Sequence, residues 1–294
     1  MENKKFIAGA GATNVDLLYQ GMERIPDVGE ELYCKDFSLQ LGGGLPATLI
    51  NLGRLGIPTK IATELGSDIF SNFAKEKFTE NGVSPTNLYE GDKIPLNITS
   101  AIILPHDRTF FTYGKGSIEP QKQALDTFYN MATGSKITMM QPGGFLPVYE
   151  KLKEEGTMLV LDTGWDDELS FEKYGRYLEL ADYYTPNRKE AMKITGASTP
   201  EEAAEKLKKY FDKVVVKVDK DGCIGIDGDE TFFVKSVDDF HNVDSTGAGD
   251  AFLAGFMYGL YYDKSLKDCI EYGNITGGKA VTAVGALSAY VTAQ

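Results

Sequence analysis

Between residues 121 and 185 the chain alternates two hydrophobic periods, and that alternation restricts the fold more than any other feature. Residues 121–132 carry helical spacing, and 136–141 read as a short buried strand. Helix 146–155, strand 157–162, helix 171–180 and strand 183–185 follow. Strands separated by helices of this length return in parallel, with the helices packed on the faces of the sheet. Ligands of such sheets sit beyond the C-terminal ends of the strands. The turns Gln141-Pro142-Gly143-Gly144 and Asp162-Thr163-Gly164-Trp165 fall at such ends. At 294 residues the chain can bury a large core, as one sizeable α/β domain or two smaller ones.

The first third is punctuated by glycine. A buried strand over 5–10 runs into Gly9-Ala10-Gly11. A dinucleotide fingerprint would need a third glycine, where Asn14 stands, and then a helix, where Pro26 and Gly29 intervene. That reading is set aside. Short strands are expected at 17–19 and 31–41, with a loop around 25–29. Gly42, Gly43 and Gly44 then feed a helix that ends at Gly56, and amides at that helix start can approach a polar ligand closely. A strand at 59–65 and a helix at 68–81 follow, with Gly82 past its end. Strands 96–104 and 109–113 flank the turn Pro105-His106-Asp107-Arg108. Further on, helix 200–210 and buried strand 214–218 precede the turn Asp219-Lys220-Asp221-Gly222, and Cys223 to Ile226 lead into a hairpin.

Two words carry chemistry. In Asp244-Ser245-Thr246-Gly247-Ala248-Gly249-Asp250 the small residues leave their amides uncovered at the start of an apolar helix, which points its positive end at them. Asp250 lies in the first turn. Amides that hold developing charge beside a carboxylate that takes a proton suit phosphoryl transfer. The plainer alternative is a helix capped by Ser245 or Thr246, with Asp250 favouring the dipole. In Asn187-x-x-Glu190 the amide and carboxylate share the first turn of a helix, which is also the pattern of a capping box. Lys217 offers a phosphate cation or merely snorkels from its strand. A last helix, from 266 to about 282, has a thin side at Gly273, Asn274, Gly277 and Gly278.

The Asp244–Asp250 word resembles the C-terminal signature of the ribokinase-like (pfkB-type) carbohydrate kinases, and Gly43-Gly44 ahead of a helix resembles their N-terminal signature. The likeness runs from Asn14 to Ala286. It implies an α/β fold: a ribokinase-like three-layer sandwich, its central sheet mostly parallel with helices on both faces, plus a small β-sheet lid. It implies one kinase domain over 1–294, with lid strands drawn from about 16–41 and 96–113. By resemblance Asp250 is the catalytic base, and Gly247, Ala248 and Gly249 form the anion hole. Asn14, Asp16, Gly43, Gly44 and Thr48 hold the sugar, Thr48 standing where the family usually has Asn. Asn187 and Glu190 order magnesium-bound water and phosphate. Lys217, Gly222 and Asn274 belong to the ATP site, Asn274 lining the base. Backbone carbonyls of Asp244 and Thr246 hold a monovalent cation, K+. Asp219 stands where the family commonly has Gly near the ATP phosphates, and an Asp there repels phosphate unless it turns away. The Glu that ribokinases proper carry near Gly143 is missing.

Composition sets the exclusions. A net charge of −13 with no Lys/Arg cluster argues against nucleic-acid binding. No apolar stretch reaches membrane-spanning length, and the stretch after Met1 has no signal-peptide core. Cys34, Cys223 and Cys269 show no metal or disulfide spacing, as expected of free thiols in a reducing, cytoplasmic setting. Neither His106 nor His241 has a nucleophile near it in sequence. The expected activity is ATP- and Mg2+-dependent phosphorylation of a small sugar: a pentose, ketohexose or sugar acid. The alternatives are a nucleoside kinase on the same scaffold and a non-catalytic sugar- or nucleotide-binding protein. An exposed lid edge would suit a homodimer.

Overall fold

The computed structural model describes residues 5–105, 107–115, 118–237 and 240–292. His106 and the first four residues, on which expectations fell, lie outside them. In chain order come β1 (Ile7–Ala10), β2 (Asn14–Gln20), β3 (Asp36–Leu41), α1 (Leu45–Arg54), β4 (Thr59–Thr63), α2 (Ile69–Glu80) and β5 (Val83–Asn87). Then follow β6 (Asn97–Ile103), β7 (Arg108–Tyr113), α3 (Lys122–Ala132), β8 (Ile137–Met140), α4 (Leu146–Glu154), β9 (Met158–Leu161), α5 (Phe171–Leu180) and β10 (Tyr183–Tyr184). The chain closes with α6 (Arg188–Thr195), α7 (Pro200–Leu207), β11 (Lys213–Lys217), β12 (Gly222–Asp227), β13 (Glu230–Lys235), α8 (Ala248–Tyr261) and α9 (Leu266–Ala280).

The central sheet runs β10-β9-β8-β1-β4-β5, with every pairing parallel. All residues of β1 and β8 are buried, as a sheet covered on both faces requires. Strand β5 escaped the sequence reading because it contains Pro85, which demotes a strand. It is the edge strand, where a missing N–H costs no ladder bond. At the other edge the Lys217 amide donates to the Pro186 carbonyl at 2.9 Å, and one parallel bridge joins Asn187 to Lys217. Beyond that bridge β11, β12 and β13 pair antiparallel.

A separate four-stranded sheet runs β3-β2-β6-β7, from the segments expected for it. Strand β2 begins at Asn14, earlier than expected, and residues 31–35 lie outside β3. Because side chains alternate and paired residues share a face, Leu17, Leu39, Phe37 and Phe111 lie on one face. Asp16, Gln40, Thr99 and Arg108 lie on the other.

Helix α8 is buried almost throughout and packs between α1 and α9. Gly255 and Gly259 permit that approach, since a Cβ on either would meet α9. Leu49, Leu52, Phe252 and Phe256 join one core cluster with β1 and β4. Among the described residues no helix is long and apolar enough to cross a membrane.

Two helical glycines separate packing from propensity. A Cβ on Gly53 in α1 would collide with the Asn81 carbonyl, whereas one on Gly175 in α5 meets nothing. Gly53→Ala is expected to lose about 1–3 kcal/mol, and Gly175→Ala to gain about 0.5–1 kcal/mol. Urea unfolding of both variants checks this; equal shifts would contradict the packing of α1 against the α2–β5 turn.

Candidate active site

Helix α8 begins at Gly247, which has φ +77° and no side-chain capping bond. The plainer sequence reading, a cap from Ser245 or Thr246, is therefore not the one realised. A Cβ at Gly247 would collide with Ala286 at 2.7 Å, so both conformation and space require glycine there. The Ala248 amide donates to the Ser245 carbonyl at 3.3 Å and closes the turn. Helix α1 starts the same way, at Gly44 with φ +79° and no side-chain cap.

The two helix starts converge on one carboxylate. The Gly44 amide donates to Asp250 Oδ2 at 2.9 Å. A Cβ on Gly43 would stand 2.9 Å from the same oxygen. Burial raises the Asp250 carboxyl to about 7; the charges of Asp162 and Glu190 push the same way, and the Gly44 amide and Lys217 pull down. Protein surrounds this carboxyl on its inner side, while part of the residue keeps contact with solvent. One position earlier, a Cβ on Gly42 would stand 2.7 Å from Asn14 Cβ and 2.9 Å from Asp16 Oδ2. The glycine run thus lets β2 and α8 bring three polar side chains against one short stretch of backbone. Burial raises the Asp16 carboxyl to about 6.

A cavity of about 680 Å³ opens over this stretch, lined by Asn14, Gly43, Gly44, Gln141, Gly143 and Trp165 among others. Its place, beyond the C-terminal ends of β1, β8 and β9, is the one the alternation implied. Thr48, expected at the sugar, is fully buried one turn into α1 and, like Asp16, Asp250 and Gly247 to Gly249, is not among the lining residues. Its hydroxyl has no partner among the described residues.

On the other side of Asp250, Asn187 and Glu190 form the capping box. Asn187 Oδ1 accepts from the amides of Lys189 and Glu190 at 2.9 and 3.0 Å, and Glu190 Oε2 accepts from the Asn187 amide at 2.9 Å. Burial raises the Glu190 carboxyl, and Lys217 opposes the rise. Lys217 makes no ion pair among the described residues. A Cβ on Gly249 would stand 3.6 Å from its Nζ, so the ammonium faces the start of α8. Asp219 turns to Arg188, an ionic contact of 2.8 Å that is not aligned as a hydrogen bond. Asp221 adds a second at 3.3 Å. Arg188, shared between the two carboxylates, thereby offsets part of the repulsion expected from Asp219. Gly222, with φ +124°, lets β12 start against β13. The Asn274 amide is spent on the carbonyls of Val234 and Lys235, at 3.4 and 3.0 Å, tying α9 to β13. Geometry thus gives Gly222 and Asn274 structural work. Among the described residues no three His, Cys, Asp or Glu form a metal cage.

Asp244 contributes its side chain, a role the sequence did not suggest. Its Oδ1 accepts from the Thr246 amide at 3.0 Å, the Thr246 hydroxyl at 2.7 Å and Arg108 Nη1 at 2.9 Å; Oδ2 accepts from the Gly285 amide at 3.0 Å. Arg108 also donates to Thr246 Oγ1. No local signal pairs residues so far apart. His241 is exposed and joins none of this.

The model of the pfkB family carbohydrate kinases matches residues 5–293. The chain is 33% identical over 250 residues to an uncharacterized sugar kinase of Archaeoglobus fulgidus, covering 81% of this chain and 96% of that one. It is 26% identical over 285 residues to an ATP-dependent 6-phosphofructokinase of Thermoanaerobacterium thermosaccharolyticum, covering 89% and 85%. In fold it matches the ribokinase of Arabidopsis thaliana complexed with ribose and ATP, with a TM-score of 0.81 at 21% identity over 98% of this chain and 96% of that one.

The raised Asp250 carboxyl has a consequence for stability. The folded chain holds this proton more tightly than the unfolded chain does, so the contribution is fully present below about pH 4 and is lost as pH rises through about 7. Without ligands, Asp250→Asn is expected to match the wild type near pH 4. By pH 8 it should exceed it by something on the order of 2 kcal/mol, after allowing for solvent contact. Denaturant unfolding at both pH values checks this, and a constant difference would contradict the assigned environment.

Proposed function

The chain belongs to the pfkB family of carbohydrate kinases, which are ATP-dependent, and on that premise we propose that it transfers the γ-phosphate of ATP to a hydroxyl of a small sugar with Asp250 as general base. The observation that carries this reading is the seat of Asp250: a carboxylate poised near neutrality, at the meeting point of two helix starts that no side chain caps. A base with a pKa near the working pH combines the right protonation state with useful driving force. Asp250 takes the proton of the acceptor hydroxyl as its oxygen attacks in line. The starts of α1 and α8, with the amides of Gly247 to Gly249, stabilise the charge that develops on the transferred group. Lys217 adds an uncommitted cation on the phosphate side. Asn14 and Asp16 orient the acceptor, which supplies proximity.

Magnesium carried with ATP neutralises phosphate charge. The residues present fit such an ion held mostly by phosphate oxygens and water, with Glu190 and Asn187 behind the water, because the described residues offer no cage of their own. The carbonyls of Asp244 and Thr246 are the ligands proposed for K+. The four-stranded sheet acts as a lid that carries Asp16 and Arg108 over the acceptor and sheds competing water. Its other face exposes Phe37, Phe111 and Tyr113, each at least half uncovered, and we assign that face to a second copy of the chain.

Asp250→Asn is expected to lower kcat by about 10²–10⁴, with ATP affinity kept within about threefold by calorimetry. Substantial turnover by the folded variant would remove Asp250 as base. For the lid face, the double variant Phe37→Lys, Phe111→Lys is expected to sediment as a monomer where the wild type sediments as a dimer. Identical sedimentation of the two would refute the interface.

A further inference from the structure

The cavity that opens at Gly43 and Gly44, the glycines that seat Asp250, is longer than a single sugar ring needs. It runs from Gly43 and Gly44, past Gln141 and Gly143, to Trp165, Asp166 and Asp167. Gly11 and Ala12, which also line it, follow β1; Gln141 and Gly143 follow β8; Trp165 to Asp167 follow β9. Strands β1, β8 and β9 are neighbours, and at about 4.8 Å per strand the stretch from β1 to β9 covers about 10 Å. The volume of about 680 Å³ lies in the upper part of the range for ligands of drug size.

The far end has its own chemistry. Trp165 is 56% exposed although it lines a cavity, so a large apolar ring waits uncovered. Its indole N–H donates to Asp167 Oδ1 at 3.1 Å, which fixes the plane of the ring. Beside it stands Asp166, which accepts from the Tyr174 hydroxyl. No Lys or Arg is among the described residues lining the cavity. Lys173, the cation beside Asp166, is already held by Asp166 at 2.7 Å and Glu168 at 2.9 Å. Arg108, on the lid, is held by Asp244. An acceptor whose phosphate or carboxylate reached the Trp165 end would therefore bring negative charge to a lining that offers carboxylates and no cation, and like charges brought together oppose binding.

Resting on the kinase reading, we infer that the acceptor is uncharged and has two parts: a sugar whose hydroxyl meets Asp250, and a second, flat ring that stacks on Trp165 and turns N–H donors toward Asp166 and Asp167. A nucleoside has this chemistry. A sugar phosphate or sugar acid does not, so the sugar-acid option among the expected substrates falls away.

The chain contains one tryptophan, so fluorescence excited at the red edge, where its 16 tyrosines absorb little, reports on the far end of the cavity alone. The full-length protein, with magnesium and a non-hydrolysable ATP analogue filling the nucleotide site, is titrated with the four ribonucleosides, ribose, ribose 5-phosphate and gluconate. At least one ribonucleoside is expected to quench Trp165 and to bind about tenfold more tightly than ribose. The two anions should leave the signal unchanged over the same range. With ATP, kcat/KM for that nucleoside should exceed that for either anion by about 100-fold, the scale on which like-charge contacts discriminate. Trp165→Leu and Asp167→Asn should each raise its KM about tenfold with a smaller change in kcat. Silence of Trp165 toward every ribonucleoside, or faster turnover of ribose 5-phosphate or gluconate, overturns the inference and leaves the kinase reading standing. Quenching by a nucleoside without ATP turnover would overturn the kinase reading while the acceptor class survives.

Discussion

The hydrogen bond from the Gly44 amide to the Asp250 carboxylate joins two helix starts 206 residues apart in sequence. Much of the site follows from the need to make that bond. A carboxylate taken out of water is unstable unless amides, helix ends or cations surround it. Here one amide, two positive helix ends and Lys217 do so, and they leave the proton held at about 7 rather than removed. The geometry also dictates the glycines. At Gly43 a side chain would strike the carboxylate, and at Gly42 it would strike Asn14 and Asp16. Gly44 needs a positive φ to turn its amide inward at the start of α1.

The loop that leads into α8 is braced from three directions. Asp244 holds Thr246 within the loop, Gly285 in the C-terminal segment and Arg108 on β7 of the four-stranded sheet. Ala286 packs beneath Gly247 so closely that no Cβ fits between them. Arg54, at the end of α1, donates to the Leu287 carbonyl at 2.9 Å and so ties the same segment back to the first helix. Gln40 on β3 donates to Ser288 at 3.0 Å. The four-stranded sheet, the loop before α8 and the segment 285–288 thus form one connected hydrogen-bonded unit. A change that released Arg108 would be felt at Asp244, the carboxylate that shapes the loop.

Periodicity made the parallel sheet legible, because buried parallel strands and amphipathic helices leave different repeats in the chain. The glycine words were legible because few residue types tolerate a positive φ or a carboxylate at contact distance. What escaped had physical causes. Pro85 hid β5, since an edge strand has no need of the signal that identifies a central one. Residues 31–35 look strand-like in composition but lie beyond the β2–β3 register, which ends at Gln20 and Asp36; Lys35 makes the last bond, its amide donating to the Gln20 carbonyl at 2.9 Å. The Arg108–Asp244 pair, the bonds of Asn274 and the pairing of Asp219 with Arg188 are all contacts between distant segments, which no local pattern encodes. Asn187 and Glu190 show the reverse. Their capping box was readable at once, and it occupies one carboxylate oxygen of Glu190 while leaving the other uncommitted to that box. Thr48 is the position where resemblance and geometry part, because its short side chain stays inside α1.

The central claim is that Asp250, in the seat built by Gly43 and Gly44, is the group whose ionisation limits proton removal. The pH dependence of kcat/KM tests it most directly, because that quantity reports the free enzyme's base. A profile that rises with unit slope and levels near pH 7 is predicted from the held proton. A profile already flat from pH 5 upward would show a base of ordinary acidity and contradict the account.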